Sequence, residues 1–161
     1  MKNQTEKALY PHIQRWFEQY LKEKYKKSTI ITTYRTSSHS LEPILRDHKV
    51  SIPEATGLAV KIDIVGIIKQ RNEIGLVFIE VKDNPLTLVD LGQLWGYTQL
   101  LNPLESFLVS SKGLGSLNYI LNVLKREDLL IYGLKKERRM HVCKWDESAN
   151  SIDYPSVIPK I

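Results

Sequence analysis

The segments Ile62-Asp63-Ile64-Val65-Gly66 and Gly75-Leu76-Val77-Phe78-Ile79-Glu80-Val81-Lys82 decide the fold of this chain. Their apolar residues predict two strands of a buried β-sheet. Yet the first segment contains Asp63, and the second contains Glu80 and Lys82. Burying a charge is costly unless it is paired, hydrogen-bonded or bound to a metal. We therefore expect these three residues to have a function.

The sequence on either side predicts alternating helices and strands. Apolar residues recur at helical spacing from Glu6 to Lys24, and Thr87 can cap a helix that runs to about Leu101. The polar residues 70–73 join the two opening segments into an antiparallel hairpin. Residues 41–57 form either a short helix or an irregular excursion, and the tail with Pro155 and Pro159 is expected to be irregular. The other predicted elements are strands at 28–34, 59–69, 74–82, 106–109 and 129–132 and a helix at 116–125, which complete the order αβββαβαβ. A last strand is predicted at 140–145.

Length and composition fit one domain covering residues 1–161. A chain of 161 residues with 42% hydrophobic content is long enough for one real core and too short for two ordinary ones. It has neither an apolar run of membrane-spanning length nor the apolar core of a signal peptide near its start. We therefore expect a cytoplasmic protein without a membrane partner.

Cysteine usage and charge narrow the function classes. The single cysteine, Cys143, excludes an internal disulfide, a cysteine-ligated iron-sulfur cluster and a zinc ribbon. We expect Cys143 to be a packed strand residue. The formal net charge of +5 and a pI near 9.2 favour a polyanionic partner.

Strand geometry brings the charged residues together. Alternate residues of a strand point to the same face, so Glu80 and Lys82 share one surface. A hairpin register that sets Asp63 beside Glu80 would bring two carboxylates and a lysine together. Two close carboxylates repel each other, and a hard divalent cation relieves that repulsion better than the lysine alone. The pattern predicts a Mg²⁺ or Mn²⁺ site.

An aspartate on one strand followed by Glu-x-Lys on the next resembles the PD-(D/E)xK nuclease superfamily of restriction endonucleases, archaeal Holliday-junction resolvases and RecB-like nucleases. The following helix carries Gln93-Leu94-Trp95-Gly96-Tyr97, which is similar to the Gln-x-x-x-Tyr signature of many RecB-like members. The resemblance spans roughly residues 5–132. It departs from the pattern at Ile62, which stands in the place of the proline of the motif, a proline that many members lack. It implies an α/β, restriction-endonuclease-like αβββαβ core, with a central mixed β-sheet flanked by helices.

The resemblance also implies roles for these residues. Asp63, Glu80 and the backbone carbonyl of Val81 would hold the metal ion. Lys82 would orient the attacking water or stabilise charge on the phosphate. Gln93 and Tyr97, four residues apart on one helical face, would brace the site or contact the DNA backbone. The implied reaction is hydrolysis of DNA phosphodiester bonds.

A further acid often comes from the first helix in this superfamily, and two glutamates are candidates. At about 100° per residue, Glu6 lies roughly 20° from Ile13 on the core-facing stripe, whereas Glu18 lies roughly 140° away. The angle favours Glu6 for the site. An ordinary first-turn glutamate, stabilised by the helix dipole, is the competing interpretation.

Two basic clusters and one loop are candidates for nucleic-acid contacts. Lys22, Lys24, Lys26 and Lys27 lie at the end of the first helix, where favourable interaction with the helix dipole explains them without DNA. The denser run of Lys135, Lys136, Arg138 and Arg139 is the better candidate for phosphate contacts. Arg35 and Ser37 follow the first strand, where resolvase-like members carry DNA-contacting residues.

Two functions of different classes follow from these observations. The first is a Mg²⁺-dependent DNA endonuclease of the restriction, defence or junction-resolving type, acting as a homodimer or within a larger nuclease/helicase complex. The second is a nuclease-fold module that binds nucleic acid or a partner protein with little or no catalytic activity. Metal-dependent cleavage separates them.

Overall fold

A computed structural model describes residues 4–161 as an α/β fold with a mixed, open seven-stranded sheet between helices. The helices are α1 (Gln4–Lys24), α2 (Leu41–Asp47), α3 (Leu88–Leu101) and α4 (Ser116–Asn118), the last of which continues as a π-helical turn at Tyr119–Val123. The strands are β1 (Thr29–Thr33), β2 (Ile64–Gln70), β3 (Glu73–Lys82), β4 (Glu105–Ser110), β5 (Ile131–Tyr132), β6 (Arg138–Asp146) and β7 (Ser151–Ile152). Short 3₁₀ turns occupy Arg35–Ser37, Pro53–Ala55, Glu127–Leu130 and Tyr154–Ser156.

The main sheet has the strand order β1-β2-β3-β4-β6-β5, and β7 pairs with β6. The pairs β1–β2, β2–β3 and β5–β6 are antiparallel, whereas β3–β4 and β4–β6 are parallel. The predicted hairpin of β2 and β3 is confirmed, with Ile64 opposite Ile79. This register fixes how the charged residues of the two segments meet.

Each face of the sheet buries its own apolar cluster. Helix α1 packs Leu9, Ile13, Phe17 and Leu21 on one face. The other face is covered by α2, α3 and α4, and Leu91 and Leu94 of α3 belong to its cluster. The periodic apolar residues of α1 and α3 therefore place the two helices on opposite faces of β3.

Local signals set both ends of α3 as predicted. The backbone amide of Thr87 donates to Asp90 Oδ2 at 2.8 Å, and the Thr87 hydroxyl donates to the same oxygen at 3.0 Å. These bonds tie the chain that enters α3 to its first turn. At the other end Asn102 adopts a left-handed conformation with φ of 46° and ends the helix before Pro103.

Strand β2 is shorter than predicted, because it begins at Ile64 and not near residue 59. The backbone amide of Leu41 donates to the carbonyl of Val60 at 2.8 Å. This bond ties the residues before β2 to the start of α2. Both alternatives for residues 41–57 are realised, since α2 is followed by an irregular stretch with one 3₁₀ turn.

The later elements also differ from the prediction in part. The helix predicted at 116–125 is only a short α-helix and a π turn, and the strand predicted at 129–132 is reduced to Ile131–Tyr132. The tail is more ordered than expected. It forms β7, and Ile158 exchanges backbone hydrogen bonds of 2.8 and 2.9 Å with Val142. The tail is ordered by a 3₁₀ turn and an isolated bridge. Such elements have no hydrophobic period, so the sequence pattern did not predict them.

Cys143 is a fully buried residue of β6, as predicted, and burial raises the pKa of its thiol to about 12. In the part of the chain that the structure describes, no helix is both long enough and apolar enough to span a membrane.

Candidate active site

Asp63 lies directly before β2, at the point where the pairing of β2 with β3 ends. Because Ile64 is opposite Ile79, the next pair outward is Asp63 and Glu80. Asp63 is 1% exposed, and its Oδ2 accepts a hydrogen bond of 2.8 Å from the backbone amide of Val81. The carboxylate thus accepts the hydrogen bond from the Val81 amide that a neighbouring strand would otherwise accept. This bond fixes the carboxylate at the end of the hairpin.

Tyr10 of α1 provides the second contact of Asp63. Its hydroxyl donates to Asp63 Oδ1 at 2.9 Å. Burial raises the pKa of Tyr10 far above its ordinary value, and the negative charges of Asp63, Glu6 and Glu80 raise it further. The hydroxyl therefore stays protonated as a donor, and all three carboxylates lie near enough to act on it.

Glu80 and Lys82 share one face of β3, as strand alternation predicts. Lys82 Nζ lies 3.3 Å from Glu80 Oε1, and both side chains are buried. The same ammonium group donates to Gln93 Oε1 of α3 at 3.5 Å. Lys82 is therefore held between the sheet and α3.

Asp63, Lys82 and Gln93 line a cleft of about 630 Å³, which we call the Asp63 cleft. Glu80 is 2% exposed and lies behind the cleft wall, next to Lys82. Five of its lining residues belong to the predicted site, and Ser37 was predicted to contact DNA. The cleft is lined by Glu6, Lys7, Ser37, Ser38, Ala59, Lys61, Asp63, Lys82, Gln93 and Tyr97.

The two candidate glutamates of α1 are in different environments. Glu6 is 6% exposed and lines the Asp63 cleft. The hydroxyl of the adjacent Thr5 donates to Asp83, which ties the start of α1 to the end of β3. Glu18 forms a surface ion pair of 2.5 Å with Lys22. The structure thus brings Glu6 to the other predicted site residues and leaves Glu18 on the outer side of the helix.

The candidate ligands of a divalent cation are two carboxylates and one backbone carbonyl. Asp63, Glu80 and the carbonyl of Val81 offer only hard oxygen ligands, the type that Mg²⁺ and Mn²⁺ prefer. Within residues 4–161, no three His, Cys, Asp or Glu side chains lie close enough to form a metal-binding group. Because Mg²⁺ is commonly held by one or two carboxylates together with water and substrate phosphates, these residues fit such an ion.

The predicted nucleic-acid contacts divide between two locations. Ser37 lines the Asp63 cleft, whereas the Arg35 guanidinium lies 3.7 Å from Asp47. The basic run Lys135–Arg139 lies at the other end of the sheet, because Arg139 pairs with the first residue of β4 while Lys82 pairs with the last. This run is therefore not part of the cleft.

Sequence reasoning missed the role of Tyr10. The available signal was its spacing, since Tyr10 lies one helical turn after Glu6 on α1 and both side chains are buried. Its hydrogen bond to Asp63 joins two residues that are 53 positions apart in the sequence. A local sequence pattern cannot predict a contact between residues so far apart along the chain.

Comparison with protein-family models, with curated proteins and with solved structures found no match for this chain. Its function must therefore be inferred from the fold and from the chemistry of the cleft.

Proposed function

We propose that this protein is a metal-dependent nuclease of the PD-(D/E)xK type that hydrolyses phosphodiester bonds in DNA. The observation that carries this proposal is the meeting of Asp63, Glu80 and Lys82 at one end of the β2–β3 hairpin, beside an open cleft. Clustered ionisable residues in a cleft are typical of catalytic sites.

The order of elements supports the same proposal. Helix α1, strands β1, β2 and β3, helix α3 and strand β4 follow one another along the chain, with α2 as an insertion between β1 and β2. This order is that of the αβββαβ core expected from the sequence motifs. A fold alone does not specify an activity, so the weight rests on the residues of the cleft.

In this proposal Asp63, Glu80 and the Val81 carbonyl would hold Mg²⁺ or Mn²⁺. Such a cation, when bound, lowers the pKa of water and polarises the scissile phosphate. Tyr10 and the Val81 amide orient the Asp63 carboxylate through hydrogen bonds of 2.9 and 2.8 Å. A carboxylate fixed in this way needs little rearrangement when a ligand arrives.

Lys82 is the cation placed to stabilise negative charge on the phosphate during hydrolysis. Gln93 holds its ammonium group from the α3 side, and Tyr97 lines the same wall of the cleft. A preorganised positive charge of this kind is most effective where water is excluded, and Lys82 is only 9% exposed. Glu6, on the α1 side, is the further acid of the site.

Cleavage of DNA in the presence of defined metal ions tests the proposal. Linear, supercoiled, single-stranded and branched DNA would be incubated with the protein and Mg²⁺, Mn²⁺ or EDTA. We expect cleavage of at least one DNA form with Mg²⁺ or Mn²⁺ and none with EDTA. Intact DNA in every metal condition would contradict the proposal, and the cleaved form would identify the substrate class.

A binding module without catalysis is the second candidate. It is favoured by the finding that, within residues 4–161, no three His, Cys, Asp or Glu side chains form a group that could hold a metal ion. The ion pair between Lys82 and Glu80 also gives both residues a structural role. DNA binding that persists while every DNA form stays intact would establish this candidate in place of the nuclease.

A further inference from the structure

Two basic segments from opposite halves of the sequence meet at one end of the sheet. The end of α1 contains Lys24, whose Nζ lies 2.7 Å from Glu105 Oε1 at the start of β4. Glu105 is in register with Arg139, near the start of β6. The fold therefore brings the lysines at the end of α1 next to the basic run of the β5–β6 hairpin.

A cleft of about 420 Å³ lies where these segments meet. Four cationic side chains line it, from Lys24, Arg138, Arg139 and Lys160, and we call it the basic cleft. Lysine side chains at 22, 26, 27, 135 and 136 are exposed on the neighbouring stretches of chain.

Carboxylates neutralise part of this positive charge, at Lys24 and Arg138. Glu105 is 6% exposed and accepts hydrogen bonds from the hydroxyls of Tyr20 and Tyr25 at 2.7 and 2.9 Å, as well as the bond from Lys24. The Glu105 carboxylate is therefore buried, and both of its oxygens accept hydrogen bonds. Glu137 lies 3.8 Å from Arg138.

Arg139 and Lys160 are positioned by carbonyl oxygens. Arg139 Nη1 donates to the carbonyls of residues 136 and 138 at 2.9 and 3.0 Å, and Lys160 Nζ donates to those of residues 154 and 155 at 3.3 and 2.6 Å. Within residues 4–161, neither side chain forms an ion pair with a carboxylate. Carbonyl oxygens fix the direction of the two cations without cancelling their charge, as a phosphate-binding surface requires.

The basic cleft is separate from the Asp63 cleft. Glu6 and Lys24 mark the two clefts along α1, and the helix rise places them about 27 Å apart. A duplex would need at least about 8 base pairs to span that distance. One phosphate group therefore cannot occupy both clefts.

We propose that the basic cleft is a second nucleic-acid-binding surface, which holds phosphodiester backbone outside the Asp63 cleft. The inference rests on the proposed function only in taking the nucleic acid to be the nuclease substrate. The surface anchors the DNA through its phosphates, independently of base sequence, while another segment of the same DNA enters the Asp63 cleft.

Binding of a 30-base-pair duplex in EDTA tests this proposal without cleavage. The test variant is Arg139→Gln/Lys160→Gln, and the matched control is Lys49→Gln/Lys125→Gln, which removes two exposed lysines outside both clefts. At 0.1 M salt we expect the test variant to bind at least about tenfold more weakly than the parent, with the slope of log K against log salt reduced by about 2. The control should keep the affinity and slope of the parent. Thermal unfolding would verify that both variants are folded.

Several outcomes would overturn the inference. The first is that the two double variants bind the duplex with equal affinity and equal salt slope. The second is that the parent does not bind the duplex. The third is that the test variant loses binding to anionic lipid vesicles but keeps its binding to the duplex. In cleavage assays we expect the test variant to raise KM and leave kcat unchanged. If DNA binds as expected but is never cleaved, the nuclease proposal fails while the binding surface stands.

Discussion

Asp63 depends on a residue from the opposite side of the sheet for its position. Its carboxylate belongs to the hairpin, yet one of its oxygens is held by the hydroxyl of Tyr10 on α1. The charges could be found from the sequence, because charged residues interrupt two apolar strands. The role of Tyr10 could not be found from the sequence. A tyrosine on a buried helical stripe has the same sequence pattern whether its ring only packs or its hydroxyl also donates a hydrogen bond.

Tyr10→Phe tests this positioning role. Removal of the hydroxyl takes away one of the two hydrogen bonds described for the buried Asp63 carboxylate. The bond from the Val81 amide stays. We expect the free energy of unfolding to fall by about 1–3 kcal/mol, measured by urea denaturation. We also expect kcat for DNA cleavage to fall, because Asp63 is less firmly oriented.

Tyr34→Phe is the matched control, since Tyr34 is 39% exposed and its ring centroid lies 6.2 Å from that of Tyr10. It should change stability by less than about 0.5 kcal/mol. Equal stability and equal kcat in Tyr10→Phe and Tyr34→Phe would show that the Tyr10 hydroxyl does not support the site.

At the scale of elements, the sequence predicted those with a strong hydrophobic period and missed those defined by distant pairing. Helices α1 and α3 and the β2–β3 hairpin are close to the predicted ranges. The start of β2 was placed too early, because the bond between Leu41 and Val60 depends on tertiary structure. Strand β7 is stabilised by pairing with β6. A strand of two residues is too short to have a recognisable sequence pattern.

The packing of α1 on β2 depends on Gly66. A Cβ atom at this position would lie 2.6 Å from Leu21 Cδ1 and 3.0 Å from Phe17 Cζ, both buried side chains of α1. We expect Gly66→Ala to lower the free energy of unfolding by about 1–3 kcal/mol because the core must shift to accept the methyl group. Urea denaturation measures this change.

Gly92→Ala provides the opposite expectation within α3. A Cβ atom at Gly92 would have no neighbour within 4 Å among the surroundings that the structure describes, and the residue is exposed on the helix. Alanine favours helix over glycine, so we expect a gain of up to about 1 kcal/mol. If Gly66→Ala were as stable as Gly92→Ala, the close approach of α1 to β2 would be wrong.

At the scale of the whole molecule, the Asp63 cleft and the basic cleft lie at opposite ends of one sheet. The end where β3 and β4 finish carries Asp63, Glu80 and Lys82, and the end where β4 begins carries the basic cleft. The sequence predicted the first group from two strands and a helix. It could not predict that the basic run would lie away from that group, because the relative placement follows from the order of β4 and β6 in the sheet.

The central claim is that Asp63 and Lys82 belong to one metal-dependent site. The most direct test is single-turnover cleavage in Mg²⁺ of the DNA form that the parent cuts, by Asp63→Asn, Lys82→Ala and two matched controls. The controls are Glu18→Gln and Lys22→Ala, which alter an acid and a lysine paired at 2.5 Å on the surface of α1. We expect each site variant to lose at least about a hundredfold in rate and each control to stay within about twofold of the parent. Cleavage at the parental rate by Asp63→Asn or Lys82→Ala would contradict the assignment of the site.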